Sequence, residues 1–498
     1  MLYKFEIVIE RIKNFISGHS VGLLFFIFLF IYFAFGLYIT YFNQNITWFL
    51  WDLVYDLDTG KTYTCFYLDY DFPTIKHILS YLILSPAISV VKGFTNNPKF
   101  AVVLMQSLAQ SFSVCLIYKI LYKLSDNKPI SLMFGILFGF SYTVLLFAVL
   151  PEIYVWVALI QVLLLYYIVS LIKTRTNKLN FKHIFVISVL ITFSYGINIV
   201  NIVSCTCLIL FLLIKIYGKE NVSIIKDYIK IAITTFIMIL TFLAIQSLGF
   251  NLYTYRIGVS NLDYHVTTEK VSNMVKGSLI SPFYALTASK TKDYYKLCTG
   301  FNKKKRMKKR FLEQENQPPV IYFPILLFLL IPLIFYLKNC ERYSNRYLIN
   351  TLSGIVCIYT IFNLFFNNKY CSLSALNYFP FLIVVLGLIY DKMPTKLKYT
   401  AVILFLSWLI PENIYYLFKI QNFVHTPREK FYPMGHCALY SSIFVLLLGI
   451  LKCCLNKILK GLAVFTDENK YFICTSAYSV LMIIYALINA FSIYGDKL

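Results

Sequence analysis

The chain has 498 residues, of which 59% are hydrophobic and only 14% charged, and its mean hydropathy is +0.69. A soluble domain usually carries about 25% charged and 45–50% apolar residues. Apolar runs of 15–23 residues instead recur from one end of the chain to the other, which excludes a soluble enzyme, a disordered chain and a fibrous protein. Only helices satisfy every backbone group within such segments, so we predict an all-α polytopic membrane protein.

The apolar runs predict about 13 transmembrane helices. The first, 21–42, is long enough to cross the hydrocarbon core, and residues 1–20 mix bases with apolar residues as a cytoplasmic interfacial helix does. Further spans are expected near 100–118, 130–149, 153–172, 184–198, 202–216, 229–248, 320–337, 347–366, 374–390, 399–418, 437–451 and 471–493.

Four regions follow from this map of spans. An N-terminal interfacial helix (1–20) precedes a transmembrane core (21–248), whose long first outer loop covers 43–99. A second, basic outer loop (249–319) then leads to the C-terminal transmembrane helices (320–498).

The distribution of basic residues predicts the orientation. The net charge of +23 is typical of a membrane protein with positive cytoplasmic loops, and no nucleic-acid partner is expected. The short loops of one side hold 24 Lys and Arg residues and those of the other side hold 9. The N-terminus is therefore predicted to be cytoplasmic. The basic side consists of 1–20, 119–128, 171–183, 215–230, 338–346, 391–398 and 452–470.

Two segments decide this topology. If 184–216 were one long helix, every later loop would change sides and the charge bias would vanish, so we predict two short helices broken around 196–198. Counting the apolar segment 78–94 as a span would place the lysines of 119–128 outside. We therefore predict a re-entrant or interfacial helix at 78–94 on the outer face.

Acidic residues cluster in the first outer loop among many aromatic ones. Two D-x-D pairs, Asp56/Asp58 and Asp69/Asp71, lie within twenty residues that hold five acids. Clustered carboxylates suit a general base, and a D-x-D pair can bind a divalent cation such as Mg²⁺ or Mn²⁺. The alternative is a solvated polar loop without chemistry, but the aromatic residues favour a folded loop at the membrane surface.

Lys76 and His77 stand directly before the segment 78–94. A cation, an imidazole and the free N–H groups of a helix start can together hold a phosphate. The alternative is that Lys76 neutralises Asp71 while His77 caps the helix.

Further polar residues are predicted at the outer surface or at helix breaks. Glu152 lies in a tight outer turn and either lines a cavity or is a plain turn residue, while Arg256 follows the seventh span within reach of a lipid phosphate. Lys369 is a weaker candidate of the same kind. Asn198 and Asn201, at the predicted helix break, either line a cavity or bond neighbouring helices.

The predicted spans have no central Asp, Glu, Lys or Arg. Ion-coupled transporters usually retain such residues despite their cost, so this composition argues against a proton relay.

The arrangement as a whole resembles the GT-C superfamily of membrane glycosyltransferases, and within it the bacterial branch around protein O-mannosyltransferases and lipid A aminoarabinose transferases. The matching stretches, over roughly residues 1–400, are Asp58-Thr59, Ile75-Lys76-His77-Ile78, Pro151-Glu152-Ile153-Tyr154 and Tyr370-Cys371-Ser372. Ile78 stands where the family has proline, and the tyrosine stretch is altered.

The resemblance implies transfer of a sugar from a polyprenyl-phosphate-linked donor to a glycan, lipid or protein outside a bacterial plasma membrane. Asp58, and after it Asp56, would be the catalytic base. A divalent cation is not required, and no cofactor is certain. The residues implied in substrate binding are Asp69, Asp71, Lys76, His77, Glu152, Arg256 and Lys369.

Two other functions remain open from the sequence. A flippase for a lipid-linked glycan would share the lipid substrate but needs a charged central cavity, which the spans do not supply. A non-catalytic membrane partner with this fold would tolerate replacement of Asp58.

Overall fold

The computed structural model describes residues 20–38, 80–149, 153–218, 220–249, 322–366 and 376–395, and then 397–403, 405–406, 409–410 and 413–414. These residues are almost entirely helical, and no strand occurs among them. The prediction of an all-α chain is confirmed for them. The predicted interfacial helix before Ser20, most of both large outer loops and the last two predicted spans lie outside the described residues.

Twelve helices of the described residues are numbered here in chain order. They are α1 (Ser20–Tyr38), α2 (Ser80–Thr95), α3 (Pro98–Ser125), α4 (Lys128–Phe140), α5 (Tyr142–Val149), α6 (Tyr154–Lys173), α7 (Phe181–Ile197), α8 (Ile202–Tyr217), α9 (Asn221–Gly249), α10 (Tyr322–Asn339), α11 (Arg346–Phe366) and α12 (Phe379–Asp391). The turns Ile199–Asn201 and Cys340–Arg342 are 3₁₀ helices.

Several of these helices suit a membrane. Five described segments, which contain α1, α3, α6, α8 and α9, are long and apolar enough to cross one, and α4 with α5 makes a sixth if the pair counts as one span. The helices form two compact units. The first contains α1–α3 and α6–α9, the second contains α4, α10–α12 and the helical residues after 394, and the boundary falls within α5.

In the first unit, α1 and α3 pack antiparallel. Four contacts follow one another along the pair, and the residue number rises in α1 as it falls in α3. Two of these contacts are polar, and two are between phenyl rings. The contacting pairs are Ser20–Tyr118, Val21–Cys115, Phe25–Phe112 and Phe33–Phe100. The last residue of α1 and the first residues of α3 therefore lie at the same end of this helix pair.

A glycine permits the close approach of α1 and α3. A Cβ atom on Gly36 would lie 2.4 Å from Cγ1 of Val103, far inside van der Waals contact. A Cβ atom on Gly22, near the other end of α1, would have no neighbouring heavy atom within 4 Å. Small residues at such contacts let two transmembrane backbones approach each other.

The helices α7 and α8 form a hairpin instead of one long helix. Asn198 adopts an extended conformation after α7, and the chain turns through a 3₁₀ helix into α8. The far end of α8 returns to the start of α7, where the Tyr217 hydroxyl accepts a hydrogen bond from the Leu179 N–H at 3.3 Å. The predicted break around 196–198 is confirmed, and a single helix over 184–216 is excluded.

The helix α9 packs along α7 in the same direction. The Ser188 hydroxyl donates to the Ile231 carbonyl at 3.3 Å, and further along both helices the rings of Phe193 and Phe242 lie 5.9 Å apart. On the side away from α7, α9 exposes apolar residues such as Ile233 and Phe236. This exposure suits a helix that faces lipid.

In the second unit, α4 and α12 pack antiparallel around an aromatic core. Phe328 of α10 stacks on Phe405 with ring centroids 4.0 Å apart, and the Tyr390 hydroxyl donates to the Phe328 carbonyl at 2.9 Å. Phe134 of α4 contacts both Phe328 and Tyr390. The aromatic residues of the apolar runs thus build the centre of this unit.

The predicted continuous span 130–149 is wrong in one respect, because the chain bends by 57° between α4 and α5. Ser141 is extended there, and its hydroxyl donates to the Leu137 carbonyl at 2.6 Å. At the bend, the Phe140 carbonyl accepts a hydrogen bond from Nδ2 of Asn413 at 2.8 Å. A residue far along the chain thus contributes to stabilising the bend.

The substitution Gly36→Ala should destabilise the protein by about 1–3 kcal/mol, because the new methyl group has no room beside Val103. Thermal unfolding of the purified protein in detergent measures the effect, and the double substitution Gly36→Ala/Val103→Ala should restore most of the loss. Gly22→Ala is the control and should leave the unfolding temperature unchanged or slightly higher. Equal effects of the two single substitutions would contradict the packing of α1 on α3.

Candidate functional site

The side chains that the sequence predicts to act on a substrate all lie outside the described residues, and their roles stay predictions. These residues are Asp56, Asp58, Asp69, Asp71, Lys76, His77, Glu152, Arg256 and Lys369. The structure describes the helices on either side of the first outer loop and the polar groups inside each unit. These define where a site can lie.

The first outer loop is framed by α1, α2 and α3. Because α1 and α3 are antiparallel, the loop leaves and re-enters the first unit at one end of that pair. The predicted helix at 78–94 is found as α2, which packs on α7. Its Leu84 and Ile88 are buried, whereas Val90 and Phe94 are exposed. In the sequence, the acidic segment falls between α1 and α2.

The tip of the α7–α8 hairpin is a buried network of uncharged polar groups. Gln161 of α6 donates both protons of Nε2, one to Oδ1 of Asn201 at 2.8 Å and one to the Ser204 hydroxyl at 3.1 Å. Asn201 donates in turn to the Ser194 carbonyl at 2.9 Å, which also accepts the Asn198 N–H at 3.1 Å. The side chains of Gln161, Asn201 and Ser204 thereby form a hydrogen-bond network at the end of α7, within the protein interior.

If α7 starts at the membrane surface, the helix lengths place this network within the apolar layer. The helix α7 has 17 residues, which at about 1.5 Å per residue is shorter than the hydrocarbon core of roughly 30 Å. The tip contacts Gln161, about 10 Å along α6 from its first residue. A helix break at that depth is stable only where protein groups satisfy it. Interhelical bonding, one of the two alternatives for Asn201, is therefore what the structure shows.

Gln161 and Gln110 are two of the side chains of the first unit that keep a buried polar atom without a hydrogen-bond partner. Oε1 of Gln161 is one, because the bonds of Nε2 fix the amide with that oxygen turned away. The entire carboxamide of Gln110, near the middle of α3, is another, and its side chain is fully buried. Neither residue is among the sites predicted from the sequence, although a glutamine in the centre of an apolar run is a signal that can be searched for.

Apart from Lys92 and Lys99, the described charged groups of the first unit gather at the opposite end of its helices. Asp227 is buried and accepts hydrogen bonds from Lys230, at 2.7 Å, and from the Tyr217 hydroxyl. Lys123 of α3 donates to the Ser170 hydroxyl of α6 at 2.7 Å. These contacts tie the predicted cytoplasmic loops of this unit to one another.

The second unit has a similar charged end. The carboxylate of Asp391 accepts a hydrogen bond from Nδ2 of Asn127 at 2.9 Å and pairs with Lys392 at 3.1 Å. Nearby, Tyr343 donates to the Ile389 carbonyl, and burial, together with Tyr336 and Asp391, raises the pKa of Tyr343 to about 12. The hydroxyl therefore stays a neutral hydrogen-bond donor at physiological pH.

The described residues therefore separate two kinds of chemistry. Their interior offers neutral donors and acceptors, and the buried acids Asp227 and Asp391 lie at the charged ends in hydrogen bonds and ion pairs. Among the described residues, no group of three or more His, Cys, Asp or Glu side chains is arranged to hold a metal ion.

The substitution Gln161→Leu should lower stability by about 1–2 kcal/mol, because Asn201 and Ser204 lose their donor in a dry interior. Gln110→Leu is the matched control and should be neutral or stabilising, since it removes a buried amide that has no partner. Thermal unfolding in detergent compares the two variants. A loss for Gln110→Leu as large as that for Gln161→Leu would show that the Gln110 amide is bonded in the native protein.

Comparison of the chain with protein-family models, with curated proteins and with solved structures finds no match.

Proposed function

We propose that the protein is a membrane glycosyltransferase that moves a sugar from a polyprenyl-phosphate-linked donor to an acceptor outside the membrane. The antiparallel contact of α1 with α3 is the observation that supports this most directly. It favours a first outer loop whose two ends lie on one side of the membrane, with α2 as an interfacial or re-entrant helix. A single crossing by α2 would make α1 and α3 parallel.

The predicted sidedness has support in each unit. In the first unit, four predicted cytoplasmic segments meet through the pairs Ser20–Tyr118, Lys123–Ser170, Tyr167–His183 and Leu179–Tyr217. In the second unit, Asn127 and Tyr343 bring the segments 119–128 and 338–346 to the end of α12. The acidic loop starts from the opposite ends of α1 and α3, as a transferase acting on an outer-leaflet substrate requires.

The chemistry would take place in the first outer loop. The Asp58 carboxylate would accept the proton of the acceptor hydroxyl while the oxygen of that hydroxyl attacks the anomeric carbon of the sugar. Asp56 is the second candidate for this base. The bond from that carbon to the phosphate oxygen breaks, and polyprenyl phosphate leaves with the electron pair. Lys76, His77 and Arg256 would stabilise the departing phosphate. Asp69, Asp71, Glu152 and Lys369 would contact the substrate.

The uncharged interior favours a transferase over a flippase. A flippase has to shield a phosphate and a sugar headgroup across the whole apolar layer, which calls for cationic groups at its centre. The apolar centres of the described spans contain no Asp, Glu, Lys or Arg. The bilayer, in this proposal, holds only the polyprenyl tail.

Asp58→Asn should abolish sugar release from a labelled polyprenyl-phosphate-sugar panel, with a loss of at least about 100-fold, because the general base is gone. The purified full-length protein is assayed with and without an acceptor, and thermal unfolding shows that the variant stays folded. Asp126→Asn, an exposed acid of the loop 119–128, is the matched control and should keep full activity. A wild type that leaves every donor intact but moves labelled lipid across proteoliposome bilayers would replace the transferase with a flippase.

The proposed topology predicts the activity of alkaline phosphatase fused at two points of the chain. Fusion after Gly60 should give an active enzyme, because that residue is expected outside the cytoplasm. Fusion after Lys178 should give an inactive one, since the loop between α6 and α7 is expected inside. High activity of the Lys178 fusion would contradict the proposed topology, because either α2 would then cross the membrane as a full span or the bent pair α4–α5 would not.

A further inference from the structure

The charged end of the first unit is a strongly basic surface. Seven described bases are exposed on the α6–α7 loop, the end of α8 and the first turns of α9: Lys173, Arg175, Lys178, Lys182, Lys215, Lys226 and Lys230. Two acids accompany them, the exposed Glu220 and the buried Asp227, which already bonds Lys230. The segments form one surface because Leu179 contacts Tyr217, and Tyr217 contacts Asp227.

Exposed apolar side chains stand directly beside four of these bases. The adjacent pairs in the chain are Phe181–Lys182, Ile214–Lys215, Ile225–Lys226 and Ile229–Lys230. Phe181 is 78% exposed and Ile225 is 58% exposed, although both are large and apolar. A partner that fits this surface must therefore meet hydrocarbon and positive charge within one residue of each other.

The backbone adds to the positive potential of the same surface. Both α7 and α9 begin there, and the N-terminus of a helix carries a partial positive charge. Asn180 caps α7 by accepting a hydrogen bond from the His183 N–H at 2.9 Å. Other N–H groups of these two first helical turns point toward the surface, as in every α-helix.

We infer that this surface binds anionic phospholipids, with the phosphate headgroups on the bases and the acyl chains against the exposed apolar residues. A soluble polyanion would satisfy the charges but leave the phenyl and isoleucine side chains in water. A zwitterionic lipid would cover the apolar residues but leave the net positive charge without a counterion. Only an anionic lipid matches both, and each base near such a membrane strengthens binding about fivefold. The inference does not depend on the catalytic proposal.

The test compares phosphatidylglycerol with phosphatidylcholine on the full-length protein in mixed micelles. Phosphatidylglycerol should raise the unfolding temperature and remain bound in native mass spectra, and added salt should weaken both effects. The triple variant Arg175→Gln/Lys182→Gln/Lys226→Gln should bind it on the order of 100-fold more weakly, while its stability in phosphatidylcholine stays that of the wild type. Glycerol phosphate without acyl chains should give no stabilisation.

A matched variant, Lys338→Gln/Arg342→Gln/Arg346→Gln, removes three exposed bases from the second unit and should keep the phosphatidylglycerol effect. Equal weakening in both triple variants would overturn the inference, because total charge rather than this surface would then attract the lipid. Stabilisation by glycerol phosphate alone would also overturn it. If the triple variant does not fold, the single substitutions Arg175→Gln and Lys226→Gln, each expected to weaken binding about fivefold, decide the matter.

Discussion

Where a helix ends inside an apolar layer, its last carbonyl oxygens need donors from the protein itself, because no water is present to supply them. The described chain meets this demand twice with a side-chain amide. Asn201, held by Gln161, serves the end of α7, and Asn413 serves the end of α4. These amides bond the hairpin and the 57° bend to other parts of their units. The path of the chain through both units depends on them.

The same scarcity of water explains where the charges lie. A carboxylate or ammonium group is costly at the centre of a bilayer, and the described spans keep both kinds at their ends. Asp227 and Asp391 are buried there, but each is compensated by a lysine and a further hydrogen-bond donor. The helix ends that meet in these clusters come from loops with an excess of bases. The basic segments of the sequence are therefore the ones whose loops contact one another in the structure.

Much of the fold could be predicted because it depends on local composition. The predicted span 153–172 differs by one residue from α6, and the break between α7 and α8 follows from Gly196 and Asn198, which are poor helix formers. The bend at Ser141 was missed because its stabilising partner, Asn413, is distant in sequence. Gln161 could not be assigned for the same reason. The predicted catalytic residues, such as Asp58, lie outside the described residues, so that part of the site remains a prediction.

The buried amides also bear on what can pass through the first unit. Both N–H protons of Gln161 are already donated, and its one free atom is an acceptor oxygen, which repels a phosphate instead of binding it. Gln110 still has free donors, but a neutral amide cannot replace the cations that a phosphate needs in a dry interior. A lipid phosphate is thus better held at the membrane surface, where lysine, arginine and histidine can reach it while its polyprenyl tail stays in the bilayer. This separation favours chemistry in the acidic outer loop over transport through the helices.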